Sequence, residues 1–302
     1  MSGTIGALTN RGENESVGAV VLAYHPEGSL IDNILALVPQ VSEVFVVNNS
    51  PGVEPAVFDQ LRTIPGVEVI DQPGNVGVAA GFNSGMRRAF EAGHRYAIIF
   101  DQDSTAPEGL VDGLVDAYRA FGPGAGIVGP ALRSGVTGHV FRRECGSGIG
   151  VRATLISSGA LFAREVVERI GFHDESLFID YVDHDISLRA GRRGLKNLKA
   201  FDIVLDHRFG GAVPRRILGR DFFVADYSPM RHYYMSRNRI ILVRRYGFGA
   251  WFWEDLSYFM KAWTKVLLFE EDRPRKVAAF FRGLRDGMRY HRTAVDRSGA
   301  IT

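Results

Sequence analysis

Only one cysteine, Cys145, occurs in the 302 residues, so no disulfide can form within the chain. That fits a reducing compartment. No run of ~18 charge-free apolar residues occurs, so a membrane-spanning helix is not expected. Residues 1–16 are polar and glycine-containing and lack an apolar signal core, so a ragged N-terminus is expected rather than an export signal. There is no internal repeat or low-complexity tract. The glycine-rich stretch 74–85 matches neither the G-x-G-x-x-G dinucleotide fingerprint nor the G-x-x-x-x-G-K-[ST] phosphate loop. With 46% hydrophobic and 23% charged residues, the composition is that of an ordinary globular protein. The length allows one large α/β domain with an appendage, or two domains.

The net charge of +2 conceals an asymmetry. Residues 1–210 carry 18 basic and 25 acidic residues, whereas 211–302 carry 18 basic and 9 acidic. An acidic body with a basic tail predicts that the tail meets something anionic.

The run Ala97-Ile98-Ile99-Phe100-Asp101-Gln102-Asp103-Ser104 organises the chain. Four apolar residues stop abruptly at an acid, which predicts a strand buried on both faces of a parallel sheet. Ligands bind at the carboxyl ends of such strands. If the strand continues, Asp101 and Asp103 share one side, because side chains alternate with period two. Two crowded carboxylates repel unless one is protonated or a cation lies between them. Mg²⁺ or Mn²⁺, which take oxygen ligands and bridge to phosphates, suit such a pair. The same residues also suit a solvated loop in which Asp103-Ser104 caps the next helix.

Strands are predicted at 17–24, 44–47, 67–70 and 97–100, with helices at 30–38, 54–63 and from the glycine stretch to about 92. This alternation implies βαβ units and a mainly parallel sheet. Within 74–85, Asn75 and Asn83 are candidate ligand contacts, Ala79 and Ala80 suit close helix-on-sheet packing, and the helix N-terminus favours a phosphate. Beyond 105 come a helix (Leu110–Phe121), a strand at 126–130, irregular or hairpin structure over 133–152, a short strand at 157–162, a helical turn from Glu165 to Ile170 and a last strand at 202–207. A second acidic cluster holds Asp180, Asp183 and Asp185, with a helix expected from Asp183. A carboxylate at a helix N-terminus stays ionised, as a general base for a sugar hydroxyl requires; it serves equally as a cap. His207, ending the last strand, is either a third metal ligand or structural.

After Gly210 the character changes. Residues 231–239 mix basic and aromatic side chains. Leu256, Phe259, Met260, Trp263, Val266 and Leu267 form a helical stripe, and Val277, Phe280, Phe281, Leu284 and Met288 form another beside Arg275, Lys276, Arg282, Arg285 and Arg289. Basic amphipathic helices over 251–292 suit an anionic membrane surface, or a subdomain packed on the body or on a second copy in a homo-oligomer. Nucleic acid is not expected as a partner, since these residues already serve helix stripes.

The order of these pieces closely resembles family 2 glycosyltransferases of the GT-A fold: a strand into Asn48-Asn49-Ser50, Asn75-Val76-Gly77, Phe100-Asp101-Gln102-Asp103-Ser104, Ser158-Gly159-Ala160-Leu161, then Gly171-Phe172-His173 through Arg189-Ala190. With Tyr233-Tyr234-Met235-Ser236-Arg237-Asn238, it is most like the bacterial rhamnosyltransferase branch, over roughly 17–245. The resemblance implies a Rossmann-like, mainly parallel sheet flanked by helices with a C-terminal helical extension. The division would be a flexible 1–16, a catalytic 17–210 and a helical 211–302. It implies that Asp101, Asp103 and His207 hold Mg²⁺ or Mn²⁺ and that Asp183 is the base. Ala23, Tyr24, Asn48, Asn49, Asn75 and Gln102 would bind the nucleotide-sugar, and Ser158, Gly159, Asp180, Tyr181 and Asp185 would meet the acceptor or support the site. Two departures count. Many relatives carry Asp where Asn48 stands, and Arg where Gly74 stands, so another basic residue is expected at the phosphates. The implied activity is inverting transfer of a sugar, with dTDP-L-rhamnose the favoured donor, to a cell-surface glycan or lipid-linked acceptor. Galactofuranose or another deoxysugar is the alternative. A nucleotidyltransferase fits less well, because Tyr24-His25-Pro26-Glu27-Gly28 lacks Lys and Arg. The expected location is cytoplasmic, peripheral on the inner membrane face.

Overall fold

The computed structural model describes residues 15–290 apart from 51, 53–55, 135–143, 208–212, 218–219 and 225. The chain runs β1 (Val17–Ala23), α1 (Ser29–Leu37), β2 (Glu43–Asn48), α2 (Ala56–Arg62), β3 (Val67–Asp71), α3 (Gly77–Glu91) and β4 (Tyr96–Asp101). It continues through β5 (Ser104–Thr105), α4 (Leu110–Phe121), β6 (Ala125–Ser134), β7 (Ile149–Arg152), β8 (Ala160–Ala163), α5 (Arg164–Ile170), α6 (Val182–Arg192) and β9 (Lys196–His207). A hairpin, β10 (Val213–Ile217) and β11 (Arg220–Val224), precedes α7 (Pro229–Tyr246), α8 (Ala250–Phe269) and α9 (Arg273–Arg289).

The main sheet has 9 strands in the order β3-β2-β1-β4-β8-β6-β9-β5, with β7 on β9. The strands β3-β2-β1-β4 are mutually parallel, and every residue of β1 is buried, so the apolar runs form the inner layer as expected. Beyond β4 the sheet is mixed. β8 runs antiparallel to β4 and β6, while β6 and β9 are parallel. Gly159 makes this reversal: its φ of 78° turns the chain, and its N–H donates to the Ile99 carbonyl at 2.8 Å. β2 and β3 lie to one side of β1 and β4 to the other. A crevice therefore opens at the carboxyl ends of β1 and β4, which places Tyr24 beside Asp101.

Small residues bring α3 down onto the sheet. A Cβ at Gly81 would collide with the Leu22 side chain, and one at Gly85 with Val20. The tail is equally close-packed. A Cβ at Gly283 of α9 would strike the Ser236 hydroxyl and Tyr233 carbonyl of α7, and one at Gly287 would lie 2.7 Å from the Arg237 carbonyl. A second core of Ala79, Leu177, Tyr181, Val182, Ile241, Leu242 and Trp251 joins α3, the segment before α6, α7 and α8. Fully burying such side chains stabilises by about 1.5–3 kcal/mol each, so α7 is anchored to the body. By contrast, the buried residues of α8 are only Trp251 and Val266, and it leaves Trp253, Met260, Leu267 and Leu268 exposed. The hairpin β10–β11 has no counterpart in the sequence reading. Of the stretch 133–152, residues 135–143 lie outside the described residues and 149–152 form β7.

Candidate active site

A cavity of about 1190 Å³ opens at the crevice between β1 and β4 and is roofed by the tail helices. Asp101 and Asp103 line it, and so does Asp183. The route by which the acid pair gets there differs from the expectation. The strand stops at Asp101, and Gln102-Asp103 is a turn, so strand alternation does not govern Asp103. Other bonds fix the turn. The Tyr24 N–H donates to Gln102 Oε1 at 2.7 Å, and Asn33 Nδ2 donates to the Gln102 carbonyl at 2.9 Å. Behind the acids, Ser158 Oγ accepts from the Asp101 N–H at 3.3 Å and lies 2.6 Å from Ser104 Oγ. Ser158 and Gly159 are buried under this turn and do not line the cavity, so of the two roles expected of them the geometry fits support of the acids.

The chemistry of the acid pair fits a hard divalent ion. Among the described residues, no three His, Cys, Asp or Glu side chains converge to hold one. The His207 backbone pairs with Ser104 in the β5–β9 ladder, beside the acid turn; its side chain lies outside the described residues.

Tyr24, Asn49, Asn75 and Gln102 line the cavity, whereas Ala23 and Asn48 do not. Ala23 is fully buried in β1. Asn48 is turned away to Asp71, donating from Nδ2 at 2.9 Å, and its Oδ1 accepts from the Ser50 N–H at 3.1 Å. Asn49 Oδ1 accepts from the Val76 N–H at 2.8 Å, and Asn75 Oδ1 accepts from the Gly77 N–H at 3.0 Å. The next two N–H groups of α3, Val78 and Ala79, donate to the Phe178 carbonyl at 2.6 and 3.3 Å. Protein acceptors thus occupy the α3 N-terminus, which corrects the expectation of a phosphate there. Asn83 is also corrected: it is buried, accepts from the His173 N–H at 2.9 Å and donates to the His173 carbonyl at 2.9 Å.

The segment before α6 is strained. Phe178, Asp180 and Tyr181 have φ of 64°, 62° and 66°, values that non-glycine residues seldom adopt. α7 holds them. Buried Asn238 donates from Nδ2 to the carbonyls of Leu177, Ile179 and Asp180 at 2.8, 2.9 and 2.9 Å. Arg237 Nη1 donates to Asn238 Oδ1 at 3.2 Å, which points the amide nitrogen at the loop. Tyr234 stacks on Phe178 with ring centroids 4.9 Å apart. Arg231 Nε and Nη2 donate to the Asp180 carboxylate at 3.1–3.2 Å. Burial pushes Asp180 up and outweighs Arg231, leaving its carboxyl above the usual range. Tyr181 donates to Asp255 Oδ1 at 2.6 Å, and Arg239 Nε donates to Asp255 Oδ2 at 2.7 Å.

This clamp sets the first turn of α6. Asp183 Oδ1 accepts from the His184 N–H at 2.8 Å and faces His184 Nδ1 at 2.9 Å. Burial would raise Asp183, but the His184 charge and hydrogen bonds outweigh it and hold the carboxyl below its ordinary value. Burial lowers His184, and the Asp183 charge overcomes this to raise it. Asp185 is not an acceptor contact. It is 1% exposed and bonded to Arg189 Nη2 at 2.5 Å, Arg245 Nη1 at 2.9 Å and Tyr246 Oη at 2.8 Å, which locks α6 to α7. The sequence reading missed His184, Arg231, Asn238 and the Arg239–Asp255 pair. The basic, aromatic run 231–239 was the available signal for the last three.

A sequence profile described as "Glycosyl transferase family 2" matches residues 19–179. The chain is 31% identical over 250 residues to dTDP-rhamnosyl transferase RfbF of Shigella flexneri, covering 77% of this chain and 81% of that protein. Its fold is similar to that of S. aureus TarS 1–349 in complex with UDP-GlcNAc (TM-score 0.62, 12% identity, 89% of this chain and 81% of that one). It is also similar to GalNAc-T7 with UDP, GalNAc and Mn²⁺ (TM-score 0.59, 12% identity), matching 76% of this chain and spanning about half, 48%, of that one. The chain belongs to glycosyl transferase family 2, with the GT-A-type α/β fold. It is a glycosyltransferase.

Proposed function

We propose that the protein is an inverting, metal-dependent rhamnosyltransferase that uses dTDP-L-rhamnose. The observation that carries this reading is that Asp101, Asp103 and Asp183 share one cavity with Tyr24, Asn49 and Asn75. The likeness to a dTDP-rhamnosyl transferase over 77% of the chain supports the donor. Asp101 and Asp103 would hold a divalent ion, which would supply positive charge toward the nucleoside diphosphate. Asp183, ionised at neutral pH, faces the acceptor hydroxyl. The hydroxyl oxygen bonds to the anomeric carbon as the bond from that carbon to the diphosphate oxygen breaks. The proton passes to Asp183. A single displacement inverts the carbon and needs no covalent enzyme intermediate. A weak base suffices, because the hydroxyl becomes strongly acidic as its oxygen bonds to carbon.

The acceptor is a glycan or lipid-linked saccharide. The exposed stripe Trp253, Met260, Leu267 and Leu268 on α8 supports peripheral contact with a membrane surface. Thermal-shift measurements with a panel of nucleotide sugars, with and without Mn²⁺, test the donor. The true donor at 100 times its Kd stabilises by about 2.7 kcal/mol. dTDP-L-rhamnose with Mn²⁺ is expected to give the largest shift; a larger one with a galactofuranosyl donor refutes the assignment. Asp183→Asn is expected to lower kcat by roughly 10²- to 10⁴-fold, and wild-type turnover would remove the base.

A further inference from the structure

We propose that Arg231 is the tail's ligand for the donor diphosphate, the role that Gly74 leaves without a basic residue. This rests on the nucleotide-sugar reading above and supplies a residue for it.

Arg231 lies in the first turn of α7 and lines the cavity. One edge of its guanidinium is fixed, with Nε and Nη2 on Asp180 at 3.1–3.2 Å, and the group lies 4.0 Å over the Tyr227 ring. Nη1 has no hydrogen-bond partner among the described residues. The Arg231 side chain is 36% exposed, against 13% for Asp180. Asp101 is among the charges that stabilise the guanidinium, so Arg231 stands near the acid pair. Asp101, Asp103, Asp180 and Asp183 all line this cavity, and a diphosphate cannot approach so many carboxylates without cations to meet it. Lys261 and Lys265 of α8 also line the cavity, and the other guanidinium in the wall, Arg239, is 10% exposed, bonded to Asp255 and held 4.1 Å from the Phe259 ring. His184 is engaged by Asp183. Arg231 thus combines an anchored position with unused donors, and a planar fork matches phosphate oxygens.

The test measures binding of two probes, dTDP and thymidine, by calorimetry and ligand-observed NMR. The variants are Arg231→Ala, Arg231→Lys, and Arg231→Ala combined with Asp180→Asn. The double variant avoids leaving a buried carboxylate unpaired. The expected result is dTDP binding weakened roughly 10- to 100-fold in both alanine variants, with thymidine unchanged. Lysine should recover part of the loss, as a charge without the fork. Wild-type dTDP affinity in the folded double variant overturns the proposal. So does an equal loss for dTDP and thymidine, which means that Arg231 only shapes the site. If the wild type binds no nucleoside diphosphate, the donor reading fails first, and this proposal falls with it.

Discussion

Replacing Asn238 tests whether the tail helix sets the catalytic geometry. The residue lies on α7, fully buried, with its amide nitrogen on three carbonyls of the segment leading to Asp183. That nitrogen has two protons, so the three contacts amount to about two hydrogen bonds. Leaving buried partners unsatisfied costs about 1–3 kcal/mol each, which gives roughly 2–6 kcal/mol for Asn238→Ala. The left-handed residues Phe178, Asp180 and Tyr181 each store about 1–3 kcal/mol that the clamp holds in place. Once released, the segment relaxes and carries Asp183 with it. A displacement of ~1 Å is enough to lower turnover by ~10²-fold. Urea unfolding and transfer assays at saturating donor are expected to show both losses, with donor affinity largely kept. Asn238→Asp should be worse than alanine, because it sets a carboxylate against three carbonyl oxygens. Wild-type kcat in Asn238→Asp, or alanine worse than aspartate, would refute the reasoning.

Two further predictions concern the acids of α6. Asp185→Asn should cost about 3–5 kcal/mol, because it leaves Arg189 and Arg245 without their buried partner. Burial raises Asp185, but these arginines hold it below its ordinary value, so its contribution is present above the unfolded carboxyl pKa and lost as pH falls through the folded one. The variant should therefore flatten the acid side of the stability curve, as chemical unfolding against pH will show. His184→Gln removes the cation that depresses Asp183, so the acid limb of the kcat–pH profile should move to higher pH. Because the folded His184 pKa lies above 6.5, its stabilisation is complete below that pH and fades as pH rises through the folded value; the variant should lose more stability at pH 6 than at high pH.

The sequence showed best what depends on short-range pattern. Apolar runs ending in polar residues located β1, β2 and β4, and the periodic spacing with Gly122 gave α4 its bounds, Leu110–Phe121. Strand direction beyond β4 was not legible, since an apolar run looks the same whichever way it enters a sheet. At the site, Asp101, Asp103 and Asp183 were legible as acids at the ends of elements. The deeper machinery was not, because it is made of pairings across large sequence separations. Asn83 read as a ligand contact by residue type, and Asn48 through the family resemblance, but they spend their amides on His173 and Asp71. Nothing local marks the Phe178 carbonyl as the acceptor that caps α3, or Asn238 as the partner of a loop some sixty positions earlier.

The α7 clamp also has a consequence for biosynthesis. Strands β1 to β4 can pair once the chain has been made as far as Asp101, the last residue of β4. The segment bearing Asp183 has no such early support; its ties to Asn238, Arg231 and Asp255 exist only after the last third of the chain has been made. A nascent chain can therefore pair β1 to β4 well before the segment bearing Asp183 has its partners on α7 and α8.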